Sequence, residues 1–150
     1  GPTKTISGTG VTLSYPEGTK AEFNPVSKAP TVKWARDEAG VFVDTKFSVY
    51  AERSKTPNMP YDEQLAKLLE RKKKDQTGDS FRVFERIYKG HRCIVVMTDT
   101  PEFSEASTEL RIYPKDGSHV FIAATGDISS VTLADLMNPD VIAVMNSAAW

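Results

Sequence analysis

A strongly amphipathic helix pattern in the middle of a chain that otherwise reads as strands is the feature that most constrains the fold. The segment 60–76, PYDEQLAKLLERKKKDQ, places Tyr61, Leu65, Leu68 and Leu69 at positions i, i+4, i+7 and i+8. This is the spacing of a half-buried helix. A lone helix in such a chain needs an apolar surface to lie on, so the pattern predicts a sheet beneath it, with the three leucines in the core.

Alternating apolar and polar segments on both sides of this helix supply the strands of that sheet. Strands are predicted at 11–15, 21–23, 32–36, 41–52, 81–88, 91–98, 107–113 and 119–125. Short turn sequences join the last four strands, which favours antiparallel pairing. A second helix is predicted after Asn138-Pro139, because asparagine is a good helix cap and proline suits the first helical position.

The composition narrows the classes of protein to which the chain can belong. Its 150 residues suit one domain, and its formal net charge of −1 argues against a nucleic-acid-binding protein. No apolar run approaches the length of a membrane span. Cys93 is the only cysteine, so neither an intrachain disulfide nor a cysteine-rich metal site can form.

The first ten residues differ in character from the rest. They begin with Gly-Pro, typical of a tag remnant, and continue as a small, polar stretch. We expect a flexible segment at 1–10, either a disordered terminus or the start of a mature exported protein, followed by one domain at 11–150.

Two histidines, His91 and His119, begin predicted strands and are the candidates for a metal site. If the two strands pair, the rings approach each other, and a carboxylate such as Asp99, Glu102 or Asp127 can complete the ligand set. The alternative is that both histidines are boundary residues, and the sequence contains no ligand spacing typical of a metal site.

Cys93 has two interpretations. It lies in an apolar strand, as buried core cysteines do. It also lies two residues from His91, on the same predicted face of the strand, and a histidine neighbour can activate a nucleophilic thiol. The spacing is too common to decide between a core residue and a nucleophile.

Candidate partner-binding residues come from charge and from tryptophan. The run Arg71, Lys72, Lys73 and Lys74 closes the predicted helix, where basic residues complement the helix dipole, and it could also contact an acidic protein or anionic lipid headgroups. Trp34 and Trp150 are either core residues or exposed anchors for a partner. The acidic loop 99–105 is either simply solvated or a contact for a cation or partner.

Several short segments together resemble the PsbP-like superfamily. The segment 10–18, GVTLSYPEG, resembles the opening strand of these domains with its Tyr-Pro and Gly. The segments 61–65, YDEQL, and 87–90, IYKG, resemble the start of their middle helix and their hairpin. The segment 141–147, VIAVMNS, resembles their closing helix. That helix often finishes in a Ser-aromatic pair, where this chain has SAAW at 147–150.

The resemblance implies an α+β fold with a central antiparallel sheet flanked by helices, an α-β-α sandwich. The superfamily includes the photosystem subunit PsbP, a Ran-binding import factor, and bacterial secreted or chaperone proteins, which bind partners and are not enzymes. It places no functional residue on this chain and implies no cofactor.

The leading expectation is therefore a non-catalytic protein-binding or accessory domain. It would belong to a bacterial exported or lipid-anchored protein, in the periplasm or at the cell surface. One alternative is a cytoplasmic chaperone of the same fold that shields an apolar segment of a secreted client. Another is a small hydrolase or metalloprotein that uses His91 and His119.

Overall fold

The computed structural model describes residues 3–36, 42–75, 80–100, 105–126 and 136–150. These residues form nine strands and two helices. The strands are β1 (Thr3–Gly8), β2 (Val11–Pro16), β3 (Lys20–Phe23), β4 (Pro30–Arg36), β5 (Phe42–Ser54), β6 (Phe81–Tyr88), β7 (His91–Thr100), β8 (Glu105–Tyr113) and β9 (His119–Gly126). The helices are α1 (Tyr61–Lys74) and α2 (Pro139–Asn146).

Seven strands form one antiparallel sheet in the order β3-β4-β5-β9-β8-β7-β6, and β1 and β2 form a separate hairpin. The central antiparallel sheet predicted from the sequence is confirmed. Two hairpins turn through pairs of residues with positive φ, Thr9-Gly10 and Lys89-Gly90. This backbone matches a type I′ turn, which suits the right-handed twist of paired strands.

The strand alternation gives the sheet two different faces. The face we call the core face carries side chains such as Val32, Val49, Cys93, Ile112 and Ile122, all of them buried. The β1–β2 hairpin and α2 cover this face, contributing Val11, Leu13, Val141, Val144 and Met145 to the same cluster. The opposite face, which we call the open face, carries the alternate residues of each strand.

Helix α1 packs on one end of the open face. Tyr61 and Leu68 are buried there against Phe81 of β6 and against Ile94 and Val96 of β7.

Leu65 is half-buried against this cluster, whereas Leu69 is 43% exposed. The prediction that Leu69 belongs to the core is therefore wrong. The cluster beneath α1 comes mainly from the edge strand β6 and its neighbour β7. The sheet surface under the helix is therefore narrow, and it buries fewer of the helix's apolar side chains than their spacing predicts.

The predicted α-β-α sandwich is also wrong. The chain is mostly β, with a seven-stranded antiparallel sheet, a two-stranded sheet and two short helices among the described residues. One face is covered largely by the β1–β2 hairpin, beside the eight-residue helix α2. Residues 3–8, which were expected in a flexible segment, form β1 and pair with β2 along their whole length.

The end of α2 ties the hairpin to the sheet. Asn138 caps the helix through its Oδ1 atom, which accepts the N–H of Asp140 at 2.8 Å, with Pro139 at the first turn as predicted. After the helix, Thr12 and Ala149 exchange two backbone hydrogen bonds of 2.8 and 3.0 Å. These contacts hold the β1–β2 hairpin and α2 on the core face. Neither element covers the open face.

Candidate binding surface on the open face of the sheet

The part of the open face beyond α1 holds a groove of about 580 Å³. Its floor consists of the outward side chains of β4, β5 and β9, and one wall is the 24–29 loop between β3 and β4. The floor residues are Thr31, Lys33, Ser48, Tyr50, Glu52 and Thr125. We call this feature the sheet groove, and no described helix or strand packs over it.

The wall of the sheet groove is a compact loop held by Asn24. Its Oδ1 atom accepts the N–H groups of Val26 at 2.9 Å and Ser27 at 3.0 Å, the pattern of an Asx turn. Its own N–H donates to the carbonyl of Ala29 at 2.9 Å and closes the loop. The loop presents Val26 to solvent beside the groove, 89% exposed.

Hydroxyl groups line the middle of the floor. The Oγ of Ser48 and the Oγ1 of Thr125 lie 3.4 Å apart across the β5–β9 pair. Thr31 is buried, and its hydroxyl donates to the carbonyl of Ala29 at 3.1 Å. The floor therefore offers hydrogen-bonding groups that are already held in place by the sheet.

An aromatic pair stands beside these hydroxyls. The rings of Tyr50 and Phe121 have centroids 6.0 Å apart and are tilted by 43°. The Tyr50 hydroxyl makes no hydrogen bond with any residue that the structure describes. Burial, followed by the charges of Glu109 and Glu52, raises the pKa of Tyr50 above its usual 10.0. The phenol therefore stays protonated at neutral pH and can donate a hydrogen bond to a ligand.

Basic side chains near the groove each lie beside a carboxylate. Glu22 contacts Lys33 at 2.5 Å and Lys20 at 3.4 Å, and Arg111 contacts Glu109 at 2.8 Å. The hydrogen bond from Lys33 is the main cause that lowers the pKa of the Glu22 carboxyl. With its basic residues paired and Glu52 also on the floor, the surface suits a ligand of mixed polarity better than a polyanion.

The structure does not bring the two predicted metal ligands together. His91 shares the core face with Cys93, and its ring lies 5.5 Å from that of Trp150. His119 lies on the open face, where its ring is 4.8 Å from that of Tyr113 and its Nδ1 is 3.0 Å from the Ile112 carbonyl oxygen. The sheet itself therefore separates the two imidazoles.

The predicted carboxylate ligands do not complete a site either. Asp99 is eight residues from His91 along β7, which places it roughly 26 Å away in an extended strand. Glu102 and Asp127 lie outside the described residues, as do residues 101–104 of the acidic loop. Within the described ranges, no group of three or more His, Cys, Asp and Glu side chains could hold a metal ion.

Cys93 is a core residue, as one of its two interpretations predicts. It is fully buried within the core face. Burial raises the pKa of its thiol to about 12, so the thiol is protonated at neutral pH. A buried thiol with a raised pKa is a poor nucleophile.

Both tryptophans turn toward the core face. Trp34 stacks on Phe47 with centroids 5.6 Å apart, and Trp150 stacks on Tyr88 at 6.1 Å. Both rings are half-buried against the main core cluster. They lie on the opposite side of the sheet from the groove, so neither can take part in it, and their role as partner anchors elsewhere stays a prediction.

The basic run at the end of α1 is partly used in packing. The Arg71 guanidinium lies 4.1 Å from the centroid of the buried Phe81 ring. Lys74 pairs with Glu70 at 3.1 Å, one helical turn earlier. Lys73 is exposed, and Lys72 is half-buried. A contact between this run and an acidic partner stays a prediction.

The groove residues were not singled out from the sequence, although one signal was present. In β5 the residues alternate with the core positions Phe47, Val49 and Ala51, so Ser48, Tyr50 and Glu52 share the other face. A tyrosine between a serine and a glutamate on the polar face of a strand is a candidate binding residue, because tyrosine is enriched among residues that dominate binding energy. The partners of this strand in the sheet cannot be read from the alternation.

No family model and no curated protein matches the chain, so the PsbP-like resemblance stays a prediction. No helix in the described part of the chain is long and apolar enough to cross a membrane.

Proposed function

We propose that this domain is a non-catalytic binding module that holds an extended segment of a protein partner in the sheet groove. The observation that carries the proposal is the Tyr50 hydroxyl, which lacks a partner among the described residues and stands beside Phe121 over a floor of fixed hydroxyls. Tyrosine is enriched among the residues that dominate binding energy at protein interfaces.

The chemistry of the groove favours a protein segment over other macromolecules. Its lysine, Lys33, is paired with Glu22, which does not suit a nucleic acid, whose binding depends on basic residues that can contact phosphates. Its floor mixes hydroxyl, charged and aromatic groups, as interfaces with protein partners do. The exposed Val26 at the wall adds an apolar contact at the rim.

The same polarity argues against the chaperone alternative at this site. A chaperone that shields an apolar client segment needs an apolar groove, whereas the sheet groove carries Lys33 and Glu52 beside its aromatic pair. The hydrolase alternative has little support, because Cys93 is buried and the two histidines lie on opposite faces. A location outside the cytoplasm remains part of the proposal.

Affinity capture from extracts of the source cell tests the proposal when two baits are compared. Tyr50→Arg fills the groove with a charged side chain, and Ala66→Arg places the same side chain on the exposed surface of α1. We expect a specific protein to be retained by the wild type and by Ala66→Arg, and to be lost with Tyr50→Arg.

The retained protein is then purified and titrated against the three forms by calorimetry. We expect Tyr50→Arg to weaken binding by about tenfold or more, the size of a strong interface contact. Circular dichroism melting of each variant checks the fold. Equal affinity of a folded Tyr50→Arg variant and the wild type would sink the proposed use of the groove.

A further inference from the structure

A second cavity, on the core face, has a different chemistry. It is a cleft of about 170 Å³ between strands β6 to β8 and helix α2. Its walls include the apolar side chains Phe84, Val95, Met97, Leu110, Met137 and Ile142. Phe84 and Met137 are each 45% exposed at its edge, which is unusual for large apolar side chains beside a packed core. We call this cavity the α2 cleft.

The hydroxyl of Thr108 in the α2 cleft lacks a hydrogen-bond partner among the described residues. Thr108 is only 5% exposed, and its Oγ1 makes no hydrogen bond with the residues that the structure describes. A buried hydroxyl left without a partner costs free energy, so such groups are usually paired. A ligand that supplies the missing hydrogen bond would recover that cost.

A cation stands at the other end of the same cleft. Arg86 lines it and is exposed, and its contacts are a 3.4 Å hydrogen bond to the Oδ1 of Asn146 and a position 5.5 Å from the centroid of the Tyr88 ring. Within the described ranges Arg86 pairs with no carboxylate. Guanidinium groups bind carboxylates in two-pronged hydrogen bonds, so this end of the cleft suits an anion.

The strand register fixes the spacing of the two polar groups. Arg86 pairs with Cys93, and Thr108 pairs with Met97, so they lie two strands and four residues apart. With standard strand spacings their Cα atoms are roughly 16 Å apart. The guanidinium of Arg86 stays at its own end of the cleft, beside Tyr88, so a ligand must itself span most of this distance, with a hydrogen bond at each end. A ring that carries a short chain with a carboxylate has about this length.

We propose that the α2 cleft binds a small carboxylate with an apolar ring and a hydroxyl at its far end, a hydroxyphenyl carboxylate being the simplest form. The carboxylate pairs with Arg86, the ring fills the apolar walls, and the hydroxyl pairs with Thr108. The cavity volume of about 170 Å³ fits the ring, since an apolar cavity of about 150 Å³ holds a benzene molecule, and the carboxylate end lies at the exposed side of the cleft beside Arg86. This site is separate from the sheet groove and does not depend on the function proposed for it.

Calorimetric titration of the whole chain with three probes tests each part of the proposal. The probes are para-hydroxyphenylpropionate, phenylpropionate without the hydroxyl, and para-ethylphenol without the carboxylate. We expect saturable binding of the first and binding weaker by about tenfold for each of the others, because each lacks one hydrogen-bonded group. Backbone amide shifts in NMR spectra must fall on β8 and α2.

Three variants locate the binding. Arg86→Gln should weaken the first probe by about tenfold, while Lys115→Gln, which removes one positive charge in the exposed β8–β9 turn, should not change its affinity. Thr108→Val should abolish the preference for the hydroxylated probe over phenylpropionate. Thermal melting of each variant confirms that it folds.

Four outcomes would overturn the proposal, the first three of which concern the location of binding or its absence. These three are no saturable binding at millimolar probe, equal weakening by Arg86→Gln and Lys115→Gln, and amide shifts confined to other parts of the sheet. Equal binding of all three probes would show that the cleft recognises only apolar volume, which contradicts the roles given to Arg86 and Thr108.

Discussion

The hydroxyl of Tyr88 donates a 2.7 Å hydrogen bond to the backbone carbonyl of Met145, which joins strand β6 to the last turn of helix α2. Both residues are buried, and the bond spans 57 positions of the chain. Burial is the main cause that raises the pKa of Tyr88 to about 12, so the phenol stays protonated and keeps donating. This contact is one of those that hold the covering layer on the core face.

Removing that hydroxyl should destabilise the fold. Tyr88→Phe leaves the Met145 carbonyl buried without its donor, and we expect the free energy of unfolding to fall by about 1–3 kcal/mol. Urea denaturation measures the change. Tyr15→Phe is the matched control, because the half-buried Tyr15 hydroxyl bonds to no described residue, and its effect should stay within about 0.5 kcal/mol.

Two neighbouring leucines of α1 should differ sharply in their contribution to stability. Leu68 is 5% exposed against Phe81 and Ile94, whereas Leu69 is 43% exposed. Leu68→Ala should cost about 2–4 kcal/mol through lost burial and a cavity. Leu69→Ala should cost less than about 1 kcal/mol, because little apolar area is lost and alanine favours the helix. If chemical denaturation gave similar losses in the free energy of unfolding for both variants, α1 could not pack on the sheet with Leu68 buried and Leu69 exposed.

The link between the end of α2 and strand β2 should also be measurable. The Oγ of Ser147 accepts the N–H of Ser14 at 2.9 Å and lies 2.6 Å from the Val144 carbonyl oxygen. Ser147→Ala leaves a half-buried N–H unpaired, and we expect a loss of about 1–2 kcal/mol in the free energy of unfolding.

The control for this prediction is Ser7→Ala, since the Ser7 hydroxyl contacts Thr12 on the exposed side of the hairpin. Its cost should be near zero. Hydrogen exchange adds a local readout, because the amide of Ser14 should exchange faster in the Ser147→Ala variant than in the wild type. Unchanged protection of that amide would argue against the link.

Stability should fall as the pH drops below 6.5, because His119 resists protonation in the folded state. Burial is the main cause that lowers the pKa of His119 below its usual 6.5; the hydrogen bond with the Ile112 carbonyl opposes it, and the charge of Arg111 adds to it. The unfolded chain therefore binds a proton at a higher pH than the folded chain does. Stability is complete above the unfolded pKa and is lost as the pH falls through the folded pKa.

The midpoint of urea unfolding, measured at several values between pH 8 and pH 5, tests the predicted loss of stability. This pH range brackets the usual histidine pKa of about 6.5. The His119→Gln variant should lose much of the decline in this window, and the remaining loss should lie at lower pH. The carboxyls of Glu22 and Asp116 have lowered pKa values and so lose their contribution only in more acidic solution. If the stability of the His119→Gln variant fell with pH as much as that of the wild type, the loss could not be assigned to His119.

Local pattern was enough to predict most of the strands and both helices. The alternation of Phe47, Val49 and Ala51 and the cap at Asn138 depend on neighbours in the chain, so they are visible in the sequence. The helix α1 was predicted for the same reason. Its exposed Leu69 was not, because the width of a buried stripe depends on how much sheet lies beneath the helix.

The sequence by itself determined the strand and helix segments, the hairpin turns, and the side chains that share a face of each strand. Only the tertiary structure decided which face was covered and by what. It placed residues 3–8 in a hairpin over the core face and put His91 and His119 on opposite sides of the sheet. It also brought Tyr50 beside Phe121 and placed Arg86 and Thr108 along one cleft. The physical reason is that these pairs are set by strand order and register, which depend on contacts between residues far apart in the chain.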